Sequence, residues 1–231
     1  MKKKLLLLHG ALGSAQQFDT LITLLEKNYE VFTCDFEGHG TGQTTHRHYR
    51  IEHFAENVNN FIKDNSLQSC HIIGYSMGGY VGLYCARHYP ELIESVITLG
   101  TKFFWSADYA MNEIKKLQPE IIQAKVPAFA QVLEKRHAKH DWKNVLANTA
   151  EMMVHLGNTK PLTSEDIQMI TARLSIGVAE KDITVSVDET EKLARCNPQS
   201  EFYVLPGSFH PLEKIRTALW ASIITDFIER R

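Results

Sequence analysis

No stretch of this sequence approaches the roughly 18 consecutive apolar residues that a membrane-spanning helix needs, so helical membrane proteins are excluded. A surplus of one charge is missing too. With 25 Lys and Arg against 27 Asp and Glu, the formal net charge is −2, and a nearly balanced surface gains little from nucleic acid or anionic lipid. Small molecules or proteins are the expected partners. Cysteine is sparse: Cys34, Cys70, Cys85 and Cys196 follow no C-x-x-C spacing and fall in or beside apolar segments, as packed free thiols in a reducing compartment do. A soluble, cytoplasmic protein is expected. Nucleotide, flavin and metal signatures are absent, so neither cofactor nor metal is expected; His46, His48 and His53, or His137 and His140, lack the further ligands of a zinc set. No internal repeat or low-complexity linker breaks the 231 residues, a length that suits one domain or a domain with a modest insertion. Oligomeric state leaves no trace in the sequence.

The chain opens MKKKLLLLHGALGS, which could be a secretion signal or a buried strand running into a loop. A signal needs an apolar region of roughly 7 to 15 residues, and Leu5 to Leu8 is interrupted by His9 and Gly10. The strand reading is the expectation, with the mature chain starting at Met1.

Apolar runs then alternate with segments of helical period. KLLLLHG, YEVFTCDF, CHIIGYS and SVITLGT read as strands. Helices are expected after Ser14, over Ile51 to Ile62, and from Met77 to Tyr89, where Pro90 ends the last. From Lys102 to Ile170 only helical segments occur: Ala110 to Leu117, Pro127 to Lys139, Asn144 to Leu156 and Ser164 to Thr171. ARLSIGVAEKD and EFYVLPGSF restore strands, with helices at Glu189 to Cys196 and Leu212 to Ile228. Such alternation implies an α/β fold, a mostly parallel sheet with helices on both faces. Residues 1–101 and 171–231 would form that core and 102–170 a helical insertion packed on it.

Chemistry concentrates in IIGYSMGGY. Gly74, Ser76 and Gly78 form G-x-S-x-G between a strand and a helix, where a nucleophile on a sharp turn needs small neighbours. Here the chain resembles the α/β-hydrolase fold superfamily: LLLLHGALG matches its oxyanion strand and loop, DFEGHG its D-x-x-G-x-G turn, GYSMGG its nucleophile elbow, VAEKD its acid loop and LPGSFHPLEK its histidine loop. Five motifs stand in family order along nearly the whole chain. The first strands of larger relatives are expected to be missing, because the sequence begins directly at the strand that feeds the oxyanion loop.

A serine hydroxyl needs a base to take its proton. His210 follows a strand end and the turn Pro206-Gly207-Ser208, and the resemblance implies the chain order Ser, acid, His. Asp182 is the expected acid, with Glu180, Asp188 and Asp108 as competitors; Asp35 reads as structural. The N–H groups of Ala11 and Met77 would form the oxyanion hole, and His9 would support that loop. Leu12, Tyr75, Phe103, Trp105 and Met152 are candidate substrate-binding residues, and Phe104, Tyr109 and Met153 are further candidates for the pocket lining, although core packing explains these aromatic and methionine side chains equally well. Lys135, Arg136, Lys139 and Lys143 read as a solvated helix face. The resemblance implies hydrolysis of a small ester or thioester through an acyl-enzyme. Two alternatives stay open: a triad-retaining ligand sensor that signals through its cap, and a lyase like one of menaquinone synthesis. That lyase family commonly carries arginine after the second elbow glycine, where this chain has Tyr80.

Overall fold

The computed structural model describes residues 2–67 and 69–230; Met1, the expected start, lies outside them. Six strands form one parallel sheet among the described residues: β1 (Lys4–Leu8), β2 (Glu30–Cys34), β3 (Cys70–Tyr75), β4 (Ile93–Leu99), β5 (Arg173–Ala179) and β6 (Glu201–Leu205). Their spatial order is β2-β1-β3-β4-β5-β6. The unbroken leucines of β1 follow from its central place. Leu5 and Leu7 enter one core and Leu6 and Leu8 the other, so neither face of the strand meets water.

On the first face lie α1 (Asp19–Leu25) and α10 (Thr217–Glu229), contributing Leu21, Leu25, Trp220, Ile224 and Phe227. The other face is covered by α2 (Ile51–Asp64), α3 (Met77–His88) and α9 (Val187–Ala194). In α2 the apolar spacing does what it predicts, burying Ile51, Phe54, Ala55, Val58 and Ile62 on one side. Helix α3 is buried nearly all round and lies so close to β1 that a Cβ on Gly78 would overlap the Leu8 carbonyl.

Between β4 and β5 the chain forms α4 (Ala107–Ile114), α5 (Pro119–Lys125), α6 (Pro127–Arg136), α7 (Trp142–Asn158) and α8 (Ser164–Gln168). Helix α5 has no counterpart among the sequence expectations. Pro119 and Pro127 stand at the first turns of α5 and α6, where the missing N–H costs nothing and the fixed φ suits a helix. The last helix starts at Thr217 instead of Leu212, because Leu212–Lys214 is a single 3-10 turn and the Arg216 N–H donates to Ser208 Oγ at 3.0 Å. Among the described residues no helix is long and apolar enough to cross a membrane.

From β1 the chain goes to β2 on one side, and β3 then pairs with β1 on the other. Such a reversal opens a crevice beyond the carboxyl ends of the two strands that flank it. The segments leaving β1 and β3 are HGALG and SMGG.

Candidate active site

Ser76 joins β3 to α3 with φ 51° and ψ −116°, backbone that a residue with a Cβ adopts only under constraint. The constraint is visible. Its N–H donates to the Leu99 carbonyl at 2.9 Å, and its carbonyl accepts from the Gly79 N–H and from Thr101 Oγ1, both at 3.0 Å.

Asp182 follows β5 and His210 follows β6. The imidazole Nδ1–H donates to Asp182 Oδ2 at 2.7 Å, while Asp182 Oδ1 accepts the N–H groups of Thr184 at 2.8 Å and Val185 at 2.9 Å. The carboxylate side chain is 1% exposed and the imidazole 17%, so one ring edge is anchored and the rest can reach the crevice. Gly100, with φ +67°, packs beneath the pair; a Cβ there would lie 3.2 Å from both Asp182 Oδ2 and His210 Nδ1. The Tyr75 hydroxyl donates to the His210 carbonyl at 2.7 Å. The competing carboxylates stand elsewhere: Glu180 accepts the Gly207 N–H, Asp188 is in the first turn of α9, and Asp108 is exposed on α4. Ser76 and His210 line one pocket, with no hydrogen bond between alcohol and ring among the described residues. Such contacts often close only when substrate arrives.

Ala11 and Met77 line the same pocket, and among the described residues neither N–H is taken up by a turn or cap hydrogen bond. Behind them His9 is fully buried. Its Nδ1 meets the Gly10 carbonyl at 2.8 Å and its Nε2 accepts the Phe36 N–H at 3.2 Å. A carbonyl only accepts and an amide only donates, so the proton sits on Nδ1. Burial pushes the ring down to about 4, which leaves it neutral, and its 3.8 Å approach to Asp35 is therefore not an ion pair. Asp35 accepts from the Ala15 and Thr41 N–H groups at 2.6 and 2.8 Å, a structural bridge between two loops.

The buried histidines give a pH prediction. A folded ring at about 4 against an ordinary 6.5 means that the unfolded chain takes up a proton first, so stability is complete above pH 6.5 and is lost as the pH falls toward 4. His9 alone accounts for about 3 kcal/mol over that window. His137, also held near 4 by burial, acts in the same direction. Urea titrations at pH 7 and 4.5 should show a smaller loss for His9→Gln than for the wild type; equal losses would contradict the assignment.

The pocket has a volume of about 210 Å³, room for roughly seven groups the size of a water molecule. Leu12, Tyr75, Trp105 and Met152 line it, together with Tyr109 and Met153. Phe103 does not. It is stacked on Tyr80 at 5.4 Å and faces a neighbouring cleft. Sequence reasoning missed Ile51, Lys102, Glu113, Leu156 and Thr184 in the lining; Lys102 carried a usable signal, since it follows β4 at the carboxyl edge of the sheet, where ligands bind. Its ammonium is engaged, 2.6 Å from Glu189 Oε2 and 4.0 Å from the Tyr109 ring centre. Tyr80 accepts the Leu162 N–H through its hydroxyl at 3.4 Å. Glu113 pairs with Lys116 at 2.6 Å. No set of three or more potential metal ligands converges among the described residues.

The basic segment at the end of α6 departs from the solvated face expected of it. Lys135 and Lys139 are exposed, but His137 is buried and the Arg136 side chain is only 12% exposed. Both point inward because polar partners wait there: the Leu12 carbonyl accepts from Arg136 Nη1 at 2.9 Å and from His137 Nε2 at 3.1 Å.

A family model described as alpha/beta hydrolase fold matches residues 3–168. The 2-(acetamidomethylene)succinate hydrolase of Mesorhizobium japonicum is 21% identical, over 97% of this chain and 87% of its own. A serine hydrolase-like protein of Danio rerio is 33% identical over 44% of this chain, an alignment that covers 32% of the relative. Among solved structures, a thermophilic esterase from Thermogutta terrifontis with malate bound superposes with a TM-score of 0.79 at 20% identity, covering 100% of this chain and 90% of the esterase.

Proposed function

The chain belongs to the α/β-hydrolase fold family, and on that premise we propose that it hydrolyses small, neutral carboxylic esters or thioesters, with Ser76 as nucleophile, His210 as general base and Asp182 as its partner. The observation that carries the reading is the half-buried Asp182–His210 pair, 2.7 Å apart, whose imidazole lines one pocket with a serine on a constrained turn. Ser76 Oγ attacks the acyl carbonyl as His210 Nε2 takes its proton. Negative charge then gathers on the former carbonyl oxygen, where the preorganised N–H groups of Ala11 and Met77 meet it. His210 returns the proton to the departing alcohol or thiol. A water, deprotonated by the same ring, releases the acid and restores Ser76. Residues 102–170 act as a cap that supplies Trp105, Tyr109, Met152 and Met153 to the wall.

The lining argues for a neutral substrate. Its lysine is paired with Glu189, its glutamate with Lys116, and Tyr80 supplies a hydroxyl where the lyase reading asks for a cation. A carboxylate carried into this pocket would lose its water and find no free cation among the described residues, a penalty on the order of 3 kcal/mol. The name of the Mesorhizobium relative describes a dicarboxylate substrate; the preference proposed here is different.

The test is steady-state hydrolysis of p-nitrophenyl acetate and butyrate against the anionic p-nitrophenyl hemisuccinate. The neutral esters should lead in kcat/KM by about 100-fold. A faster hemisuccinate would overturn the substrate class, and a single slow cycle ending in a persistent adduct would favour the sensor instead of an enzyme.

A further inference from the structure

We infer that Arg136 and His137 are positioning residues that hold the oxyanion loop in its working geometry by gripping the Leu12 carbonyl. The inference rests on the reading of Ala11 as an oxyanion donor. Gly13 N–H donates to the Gly10 carbonyl at 3.0 Å, closing a turn whose central residues are Ala11 and Leu12. Leu12 has φ +59° while Ala11 is not among the positive-φ residues. A positive φ at the third residue alone is the type II pattern, which favours glycine or asparagine there. A leucine in that position needs help. If it relaxed to a negative φ, the Ala11–Leu12 peptide would turn over, and the backbone that carries the neighbouring Ala11 N–H would shift with it.

The help comes from two consecutive residues more than 120 positions away, at the end of α6. His137 accepts the Gly40 N–H at Nδ1, 3.0 Å away, so its proton is on Nε2 and points at the Leu12 oxygen. Arg136 spreads its guanidinium between two loops: Nη1 on Leu12 and Nη2 on Glu213 Oε1 at 3.1 Å. Glu213 lies three residues after His210 and also accepts from Gln17 Nε2 at 2.8 Å. One arginine thus ties the oxyanion loop to the histidine loop, and its histidine neighbour ties the oxyanion loop to the glycine turn at Gly40. Neither residue lines the pocket. They act through Leu12.

The variants are Arg136→Met, which keeps the stem and removes the donor, His137→Leu, their double, and His137→Gln, whose amide can accept from Gly40 and donate to Leu12 as the ring does. Each is measured for kcat and KM on p-nitrophenyl acetate, for melting temperature, and for affinity toward phenylboronic acid, which forms a tetrahedral adduct on a nucleophilic serine. The double variant should lose about 10- to 100-fold in kcat with KM within about threefold, and boronate affinity should fall in parallel. His137→Gln should recover most of what His137→Leu loses. If the double variant does not fold, Arg136→Met alone must show the same split. Unchanged kcat in a folded variant, a rise confined to KM, or a His137→Gln protein as impaired as His137→Leu would overturn the proposal. Failure of the underlying reading looks different: wild-type turnover and boronate binding would then be indifferent to Ser76→Ala.

Discussion

Ser76→Ala should lower kcat/KM on a short neutral ester by about 10⁴- to 10⁶-fold, equivalent to about 5 to 8 kcal/mol of transition-state stabilisation. The size follows from the role: without the hydroxyl no acyl-enzyme can form, and only binding and the oxyanion donors remain to assist direct attack by water. The fold should not suffer. The backbone at φ 51° is held by groups outside the Ser76 side chain, namely the Leu99 carbonyl, the Gly79 N–H and Thr101 Oγ1, and alanine meets the same steric cost. Thermal unfolding should therefore match the wild type within a few degrees. A folded Ser76→Ala protein that keeps its rate to within tenfold would remove the nucleophile from the mechanism.

Asp182→Asn should cost about 10⁴-fold in kcat at pH 7, although the two side chains are nearly superimposable. Oδ1 already accepts the Thr184 and Val185 N–H groups, and asparagine keeps that oxygen in place. The amide nitrogen is then forced toward His210 Nδ1, 2.7 Å away. An amide N–H cannot face an imidazole N–H, so the ring moves its proton to Nε2, the atom that has to receive one from Ser76. The base is blocked by its tautomer while its position is unchanged. Loss of the negative charge also removes what stabilises the imidazolium. A pH profile of kcat separates the two effects from a packing defect, since only the first pair depends on the histidine proton. A loss below tenfold in a folded variant would mean that another carboxylate serves His210.

The sheet and the helices α2 and α3 were legible because their signals are local: unbroken apolar strands, an amphipathic spacing, and glycines on either side of Ser76. Ser76, Asp182 and His210 could be nominated because each stands just past a strand, in the order that the resemblance to the family implies. What the sequence did not disclose depends on contacts between distant segments. Helix α5 was hidden because seven residues, Pro119–Lys125, are too short a run to show a helical period, and its start is marked only by Pro119 in its first turn. Phe103 was a reasonable wall residue by position, but stacking on Tyr80 turns it to the next cleft. Arg136 and His137 carry the composition of a solvated face, and only the Leu12, Gly40 and Glu213 partners explain why they are covered. No period along the chain encodes those partners.

The leucine quartet of β1 has a further implication. A one-residue slip would replace each leucine with another across most of the strand, so its interior carries almost no information about alignment, whereas in ordinary strands such a slip exchanges apolar for polar. Alignment is read at the margins, by Lys4 Nζ reaching the Ser66 carbonyl at 2.6 Å and by the His9 ring wedged between Gly10 and Phe36. His9 works as the index mark on a featureless ruler: wherever it seats, Ala11 is set down two places farther along.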